Sequence, residues 1–383
     1  MSELTRRQLI GSVGSAAAMT ALAPQAFAAG GSTSAGKSFA PVTSSSGAVS
    51  APAGPPYSGY QVEIYLNGLR GVSPKITTNL SRIEAQAAKV LSPQAQKYLL
   101  ADAGGRGTVR ANARAFRKWR IIPLMFRDHA VRDLSTTVVG TQMPAPVLFA
   151  PVGRQKLAHP DGELASARAA AGLELTYIHS AKASYSLEDV AAANGAGSRW
   201  YELNWPKKGR LDVSLLQRAR AALYTHLVIT LPSSDPNWKQ LRSIREHWDG
   251  PILLKGVRTV EDASRAVKHG VQGIVVSSHG GRKGGESSGS LEALPAIARR
   301  TGRRLSVLFD SGVRTAPHVF KALALGADAV LVGRPYVFGL ALDGQAGVRH
   351  VMRTLLAEFD ISLGNAGYAT HLDLGTASLS TIR

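Results

Sequence analysis

Ser277-Ser278-His279-Gly280-Gly281-Arg282 sets an imidazole and a guanidinium three residues apart across a glycine pair. A neutral imidazole can remove a proton, and a guanidinium can hold a carboxylate in a fixed orientation. Glycines between them admit close approach of a ligand. Two further clusters, Asp310-Ser311-Gly312-Val313-Arg314 and Gly333-Arg334, combine glycine with arginine. Glycine lets backbone N–H groups approach an anion and arginine adds bidentate donors, which suits a phosphate. Either cluster alone fits turn glycines and solvated arginines; the two together favour phosphate binding. Lys255 closes an apolar run and would place a cation deep in a pocket, where it needs an anionic partner.

These groups recur at the ends of short apolar runs. The pattern predicts strands at Val147–Pro151, Leu173–His179, Arg199–Leu203, His226–Leu231, Ile252–Lys255, Gly273–Ser277, Leu305–Phe309 and Ala329–Val332. Helical stretches lie between them, among them Asp161–Ala171, Asp212–Leu223, Val260–Lys268, Leu291–Arg300 and Ala316–Leu325. Near-continuous apolar strands imply a parallel sheet buried on both faces. Eight strand–helix repeats predict an α/β fold, a single (β/α)8 TIM barrel with an N-terminal helical extension. A doubly wound sheet would need a Gly-rich phosphate loop after its first strand, and Ala150-Pro151-Val152-Gly153-Arg154 is not one. Chemistry in such a barrel sits at the C-terminal strand ends. Those ends carry Gly153, Ser180, Glu202, Asn204, Thr230, Lys255, His279 with Arg282, Asp310 to Arg314, and Gly333-Arg334.

The chain has 383 residues and no cysteine, which excludes disulfides, thiolate metal sites and a cysteine nucleophile. No metal site is expected. A balance of 45 Lys+Arg against 26 Asp+Glu, net +19, favours anionic partners. No aromatic-studded basic stripe points to nucleic acid, and no run is long and apolar enough for an ordinary membrane span. Arg6-Arg7 directly precedes a mild apolar run, Leu9 to Leu22, followed by Ala26-Phe27-Ala28. That order predicts a twin-arginine export signal over residues 1–28 and a periplasmic or extracellular destination. Residues 29–58 are rich in Gly, Ser, Ala, Thr and Pro and read as a flexible linker, leaving 59–383 for the barrel.

The run from Leu253 to Gly339 resembles the FMN-dependent 2-hydroxy acid oxidase and dehydrogenase family, closest to its lactate monooxygenase branch. The motifs are LLKGVRTVEDASRAVKHGVQGIVVSSHGGR and LFDSGVRTAPHVFKALALGADAVLVGRPYVFGLA, with LFAPVG, HPDGELASARAAA and YSLEDVAAA before them. YLNGLRGVSPK and ANARAFRKWRIIPLMFRD extend the likeness upstream, from about Tyr57 to the C-terminus. The resemblance implies FMN as cofactor and oxidation of a small anionic 2-hydroxy acid to the 2-oxo acid. It implies that His279 is the catalytic base, Arg282 the grip on the substrate carboxylate, Tyr98 a second carboxylate contact, and Asp310 the acid orienting the base. Lys255 matches the lysine beside the flavin N1/O2 edge. Asp310, Gly312, Arg314, Gly333 and Arg334 match contacts to the ribityl phosphate. Ser180 and Thr230 match flavin-ring contacts, Ser277 lies near the flavin chain, and Ala150, Pro151, Val152 and Gly153 would pass beside the ring. Oxygen, a quinone and a redox carrier are all open as electron acceptor, and the family's tetramers imply a homo-oligomer.

The chain also departs from the family pattern. Glu202 and Asn204 stand where the family usually has glutamine, a flavin contact, and tyrosine, a substrate contact. An ionised glutamate only accepts hydrogen bonds, and its charge would resist flavin reduction. Thr230-Leu231-Pro232-Ser233-Ser234-Asp235 runs quickly to Trp238, without the long family loop and its second substrate-binding arginine. Ala103-Gly104-Gly105-Arg106 and Lys283-Gly284-Gly285 also differ. The flavin end is kept and the substrate end altered, which points away from simple lactate and towards a larger substrate. Oxidation of a related amine or alcohol, a non-redox FMN isomerase-type barrel, and a flavin-binding protein with altered catalysis are the alternatives.

Overall fold

The computed structural model describes residues 57–100, 107–127, 130–206, 210–232, 236, 238–282 and 287–382. The export signal expected at 1–28, the expected linker up to residue 56, Ala103–Arg106, Ser233–Asp235 and Lys283–Gly285 lie outside the described residues. The chain divides at Ala51/Pro52, and everything described belongs to the second unit.

Eight parallel strands close into a barrel. They are β1 (Val147–Phe149), β2 (Tyr177–His179), β3 (Arg199–Asn204), β4 (Leu227–Thr230), β5 (Ile252–Val257), β6 (Gly273–Val276), β7 (Ser306–Phe309) and β8 (Ala329–Val332). Closure is made by β8 on β1, with Val330, Leu331 and Val332 opposite Val147, Leu148 and Phe149. Each strand is followed by a helix, and the five expected helical stretches appear within two residues at each end. Side-chain oxygens of Ser186, Asp212 and Thr259 accept N–H groups of the first turn in the helices after β2, β3 and β5, so the local sequence starts these helices. The (β/α)8 barrel expected from the sequence is the fold.

Strand periodicity sorts the side chains. One set, Leu148, Ile178, Trp200, Val228, Leu253, Val275, Leu308 and Leu331, fills the barrel interior, and all eight are 1 % exposed or less. The alternate set, including Phe149, Tyr177, Ile229, Leu254, Ile274, Phe309 and Val330, packs outward under the helices. A hairpin of Thr136–Val138 with Thr141–Met143 sends Val138 and Met143 into the interior cluster. With a period of two, the residue two positions beyond each interior side chain must also face inward, nearer the C-terminal rim. Those residues are Ala150, Ser180, Glu202, Thr230, Lys255, Ser277, Asp310 and Gly333. The register that builds the core therefore also delivers the functional ring.

Ahead of the barrel lie helices Gly59–Leu69, Ile83–Ala88, Pro93–Leu99 and Gly107–Arg117. Pro93–Leu99 is started by Ser92, whose hydroxyl accepts the Ala95 N–H, and it brings Tyr98 to the barrel mouth. Trp119–Ile121 pairs antiparallel with Leu379–Thr381 and ties this extension to the C-terminus.

Candidate functional site

A cavity of about 310 Å3 opens at the C-terminal rim of the barrel. Its wall contains Tyr98, Ala150, Pro151, Val152, Gly153, Ser180, Glu202, Asn204, Thr230, Lys255, His279, Arg282, Asp310, Gly312, Arg314, Gly333 and Arg334. These are all of the sequence-predicted site residues except Ser277. Ser277 has the inward parity but is fully buried, and its hydroxyl accepts the His279 N–H at 3.0 Å. The turn that follows roofs it, so its place is behind the base and not on the cavity wall.

That turn is backbone of unusual conformation. His279, Gly280 and Gly281 have φ of 53°, 67° and 87°. A non-glycine residue at positive φ costs of order 1–3 kcal/mol, so surrounding contacts must hold it. Ser311, itself at φ 85°, accepts both the Ser278 and Gly280 N–H groups on one hydroxyl oxygen. Asn112 donates to the Ser278 hydroxyl at 2.9 Å, and Arg334 donates to the Gly280 carbonyl at 2.8 Å. Ser311 falls within the Asp310–Arg314 cluster that the sequence marks, but its support of this turn, like that of Asn112, follows from loop conformation.

His279 Nδ1 lies 3.4 Å from the Lys255 ammonium, which lies 3.4 Å from Asp310 Oδ2. Asp310 Oδ1 accepts the Ser311 hydroxyl at 2.6 Å. Asp310 is the acid that the family likeness expects to orient the base. Its two oxygens go to Ser311 and Lys255, and its influence on His279 passes through them. Lys255 and Asp310 are both nearly buried, so each is the counter-charge the other needs.

Glu202 links three strand ends. Ser180 donates to its Oε2 at 2.9 Å and Thr230 to its Oε1 at 2.7 Å. Arg282 donates to the Tyr98 carbonyl at 3.0 Å, and its guanidinium carbon lies 4.6 Å from the centre of the Tyr98 ring. Lys182, on the loop after β2, also lines the cavity and was missed.

Another part of the wall is built for an anion. The helix that starts at Arg334, and is broken at Asp343–Gly344, begins at Gly333 with no side-chain cap, and Gly333 and Arg334 line the cavity. Its first-turn N–H groups and the positive end of its dipole are thus available to a phosphate. Arg314 is held by burial below its ordinary value, while Glu84 pulls the other way from 3.6 Å. Its guanidinium is partly exposed and spends one N–H on the Val313 carbonyl at 3.0 Å, which leaves further N–H groups for a second anion. Arg334 is less available, because it already donates to the Leu99 and Gly280 carbonyls. Apolar Ala150, Val152, Leu331, Val337 and Phe338 supply further wall of the same cavity. An uncapped helix end, Arg314, Lys255 and these walls fit a phosphate-bearing planar cofactor.

Known proteins resemble this chain along most of its length. The family model for FMN-dependent dehydrogenases matches residues 87–234 and 231–381. An FMN-dependent alpha-hydroxy acid dehydrogenase of Schizosaccharomyces pombe is 39% identical, over 80% of this chain and 92% of its own. An L-lactate oxidase of Lysinibacillus sphaericus is 35% identical, over 74% and 87%. Among solved structures, a mandelate oxidase variant with (S)-mandelic acid superposes with a TM-score of 0.74 at 34% identity, covering 80% of this chain and 98% of the other. The chain belongs to the FMN-dependent alpha-hydroxy acid dehydrogenase and oxidase family. It is an FMN-dependent oxidoreductase acting on the CH–OH group of donors. No helix among the described residues is long and apolar enough to cross a membrane.

Proposed function

We propose that the enzyme oxidises a 2-hydroxy acid to the 2-oxo acid, with His279 as base and Arg282 as the carboxylate clamp. The observation that carries this reading is their convergence, with Tyr98 and Lys255, on one wall of the cavity that fits the cofactor. Bound FMN supplies the two-electron oxidant. Arg282, braced by the Tyr98 carbonyl and ring, pairs with the substrate carboxylate and fixes which carbon faces the imidazole. The His279 ring then takes the substrate proton, from the hydroxyl or from Cα. A bare ammonium beside Nδ1 would oppose the resulting imidazolium. Asp310, paired to Lys255, offsets that charge.

Mixing the FMN-loaded protein anaerobically with a panel of 2-hydroxy acids, including bulky aromatic ones, tests the reading. At least one should bleach the flavin, and His279→Ala should slow bleaching by about 10²–10⁴. If none does, the hydroxy-acid assignment is wrong and a non-redox reading replaces it.

The finer expectations are proposals of the same kind. Placement in the lactate monooxygenase branch predicts that air turnover of the best substrate releases the decarboxylated acid, without free peroxide. Residues 1–28 are proposed to direct export through the twin-arginine route, which replacement of Arg6 and Arg7 by lysine should block. Residues 29–58 would then link the cleaved N-terminus to the barrel. Self-association into tetramers is expected from family likeness and is read by scattering mass.

A further inference from the structure

Outside the inner cavity is a second chamber of about 570 Å3, lined by Tyr98, Arg154, Lys182 and Ala183. Tyr98 and Lys182 line both spaces and form the wall between them. The Arg154 guanidinium carbon lies 5.6 Å from the centre of the Tyr98 ring, and that of Arg282 lies 4.6 Å from the same centre. The two guanidinium carbons are therefore no further apart than the sum of those distances.

The outer cations are positioned by backbone. Arg154 has φ 53°, its N–H donates to the Lys182 carbonyl at 2.9 Å, and a Cβ on Gly153 would meet that carbonyl oxygen at 2.5 Å. The loops after β1 and β2 thus touch main chain to main chain, with one cation leaving from each. Among the described residues, neither Arg154 nor Lys182 makes an ion pair, and no carboxylate lines the outer chamber.

Resting on the hydroxy-acid reading, we propose that the substrate carries a second anionic group at its far end, held by Arg154 and Lys182. Arg282 holds the carboxylate next to the hydroxyl, the chain passes Tyr98, and the distal anion ends in the outer chamber. The substrate class is a 2-hydroxy dicarboxylate or a 2-hydroxy acid bearing a distal phosphate.

Anaerobic flavin reduction by the FMN-loaded full chain is compared for 2-hydroxysuccinate and 2-hydroxyglutarate, for a 2-hydroxy acid with a terminal phosphate, and for 2-hydroxybutyrate and 2-hydroxyvalerate. An anion-ended substrate should exceed the neutral-ended pair in kcat/KM by about tenfold or more. Whichever of carboxylate or phosphate gives the larger ratio identifies the distal group. Arg154→Ala should shrink that ratio while leaving the neutral-ended rates unchanged, Arg154→Lys should restore part of it, and Lys182→Ala, at a residue that also lines the inner cavity, should lower the anion-ended rates more than the neutral-ended ones. Equal rates for both classes, or an equal fall for both in the variants, would overturn the subsite and leave only long-range attraction. Should no hydroxy acid bleach the flavin, the parent reading fails and a second readout decides the subsite. Tighter perturbation of the FMN absorbance by 2-oxoglutarate than by 2-oxovalerate, lost in Arg154→Ala, sustains the subsite; equal affinity sinks it.

Discussion

Gly256 lies against the imidazole of His279: a Cβ there would sit 2.9 Å from Nε2 and 3.2 Å from Cε1. The contact arises from a bulge. Lys255 pairs with Val275 and Val257 with Val276, so Gly256 is the extra residue in β5, and its φ is +108°. One irregularity thus aims Lys255 at Nδ1 and clears room for the ring.

Gly256→Ala should therefore damage rate before binding. The added methyl pushes on the ring, and the left-handed backbone strains besides. A misplaced base costs on the order of 10²-fold. Flavin reduction should slow by about that factor while FMN stays bound, as measured by stopped flow and by the flavin-to-protein absorbance ratio. Unchanged reduction would show that the ring does not act where it lies.

Glu202→Gln tests the carboxylate laced by Ser180 and Thr230. Each of its oxygens accepts a hydroxyl, so the group acts as an acceptor facing the cavity. Replacing it with a neutral amide removes a negative charge near the cofactor. The flavin midpoint potential should rise by tens of millivolts, on the order of the effect of one partly screened charge. Redox titration against a reference dye reads it directly. An unchanged or lower potential would mean that no negative charge at Glu202 acts on the flavin.

Arg314→Ala should weaken FMN itself. A charged hydrogen bond is worth about 1.5–3 kcal/mol, so affinity should drop about 10- to 100-fold. Fluorescence quenching on titrating apoprotein with FMN measures it. The matching change at Arg334 should act differently, because that side chain ties the Leu99 carbonyl to the Gly280 turn. Its loss should slow flavin reduction by releasing His279 as well as weakening FMN.

Most of this site could be read from period two alone. Once Leu148, Ile178, Val228, Leu253 and Leu308 are taken as inward, Ala150, Ser180, Thr230, Lys255 and Asp310 must follow on the same side, and they do. Period two fails where strands give way to turns. Ser277 shares the parity yet is covered, because His279 at φ 53° folds back over it. Ser311 and Asn112 support that turn through hydrogen bonds that no spacing rule anticipates. Tyr98 comes from a helix outside the barrel, so only family likeness suggested it. Arg154 sits five residues past the end of β1 and Lys182 three past the end of β2, where side-chain direction depends on loop packing.

Buried histidines make stability fall on the acid side. Burial lowers His179, His318 and His371 from 6.5 to about 4 each, and lowers His226 as well. His318 is also stacked on Phe116 and accepts the Arg314 N–H at 3.2 Å, which links it to the phosphate end of the site. Between those folded values and the ordinary value near 6.5, the unfolded chain binds protons that the folded chain refuses. Stability therefore rises with pH across that window. Melting temperature should be flat above pH about 7 and fall steadily from about 6.5 down towards 4. His318→Gln, which cannot titrate, should flatten part of that slope. Because the Arg314 backbone N–H depends on the same contact, FMN should also be released more readily as the pH falls to about 4, where the ring takes up a proton, than at pH 7. Equal melting temperatures at pH 7 and pH 4.5 would mean that these rings are hydrated and not buried.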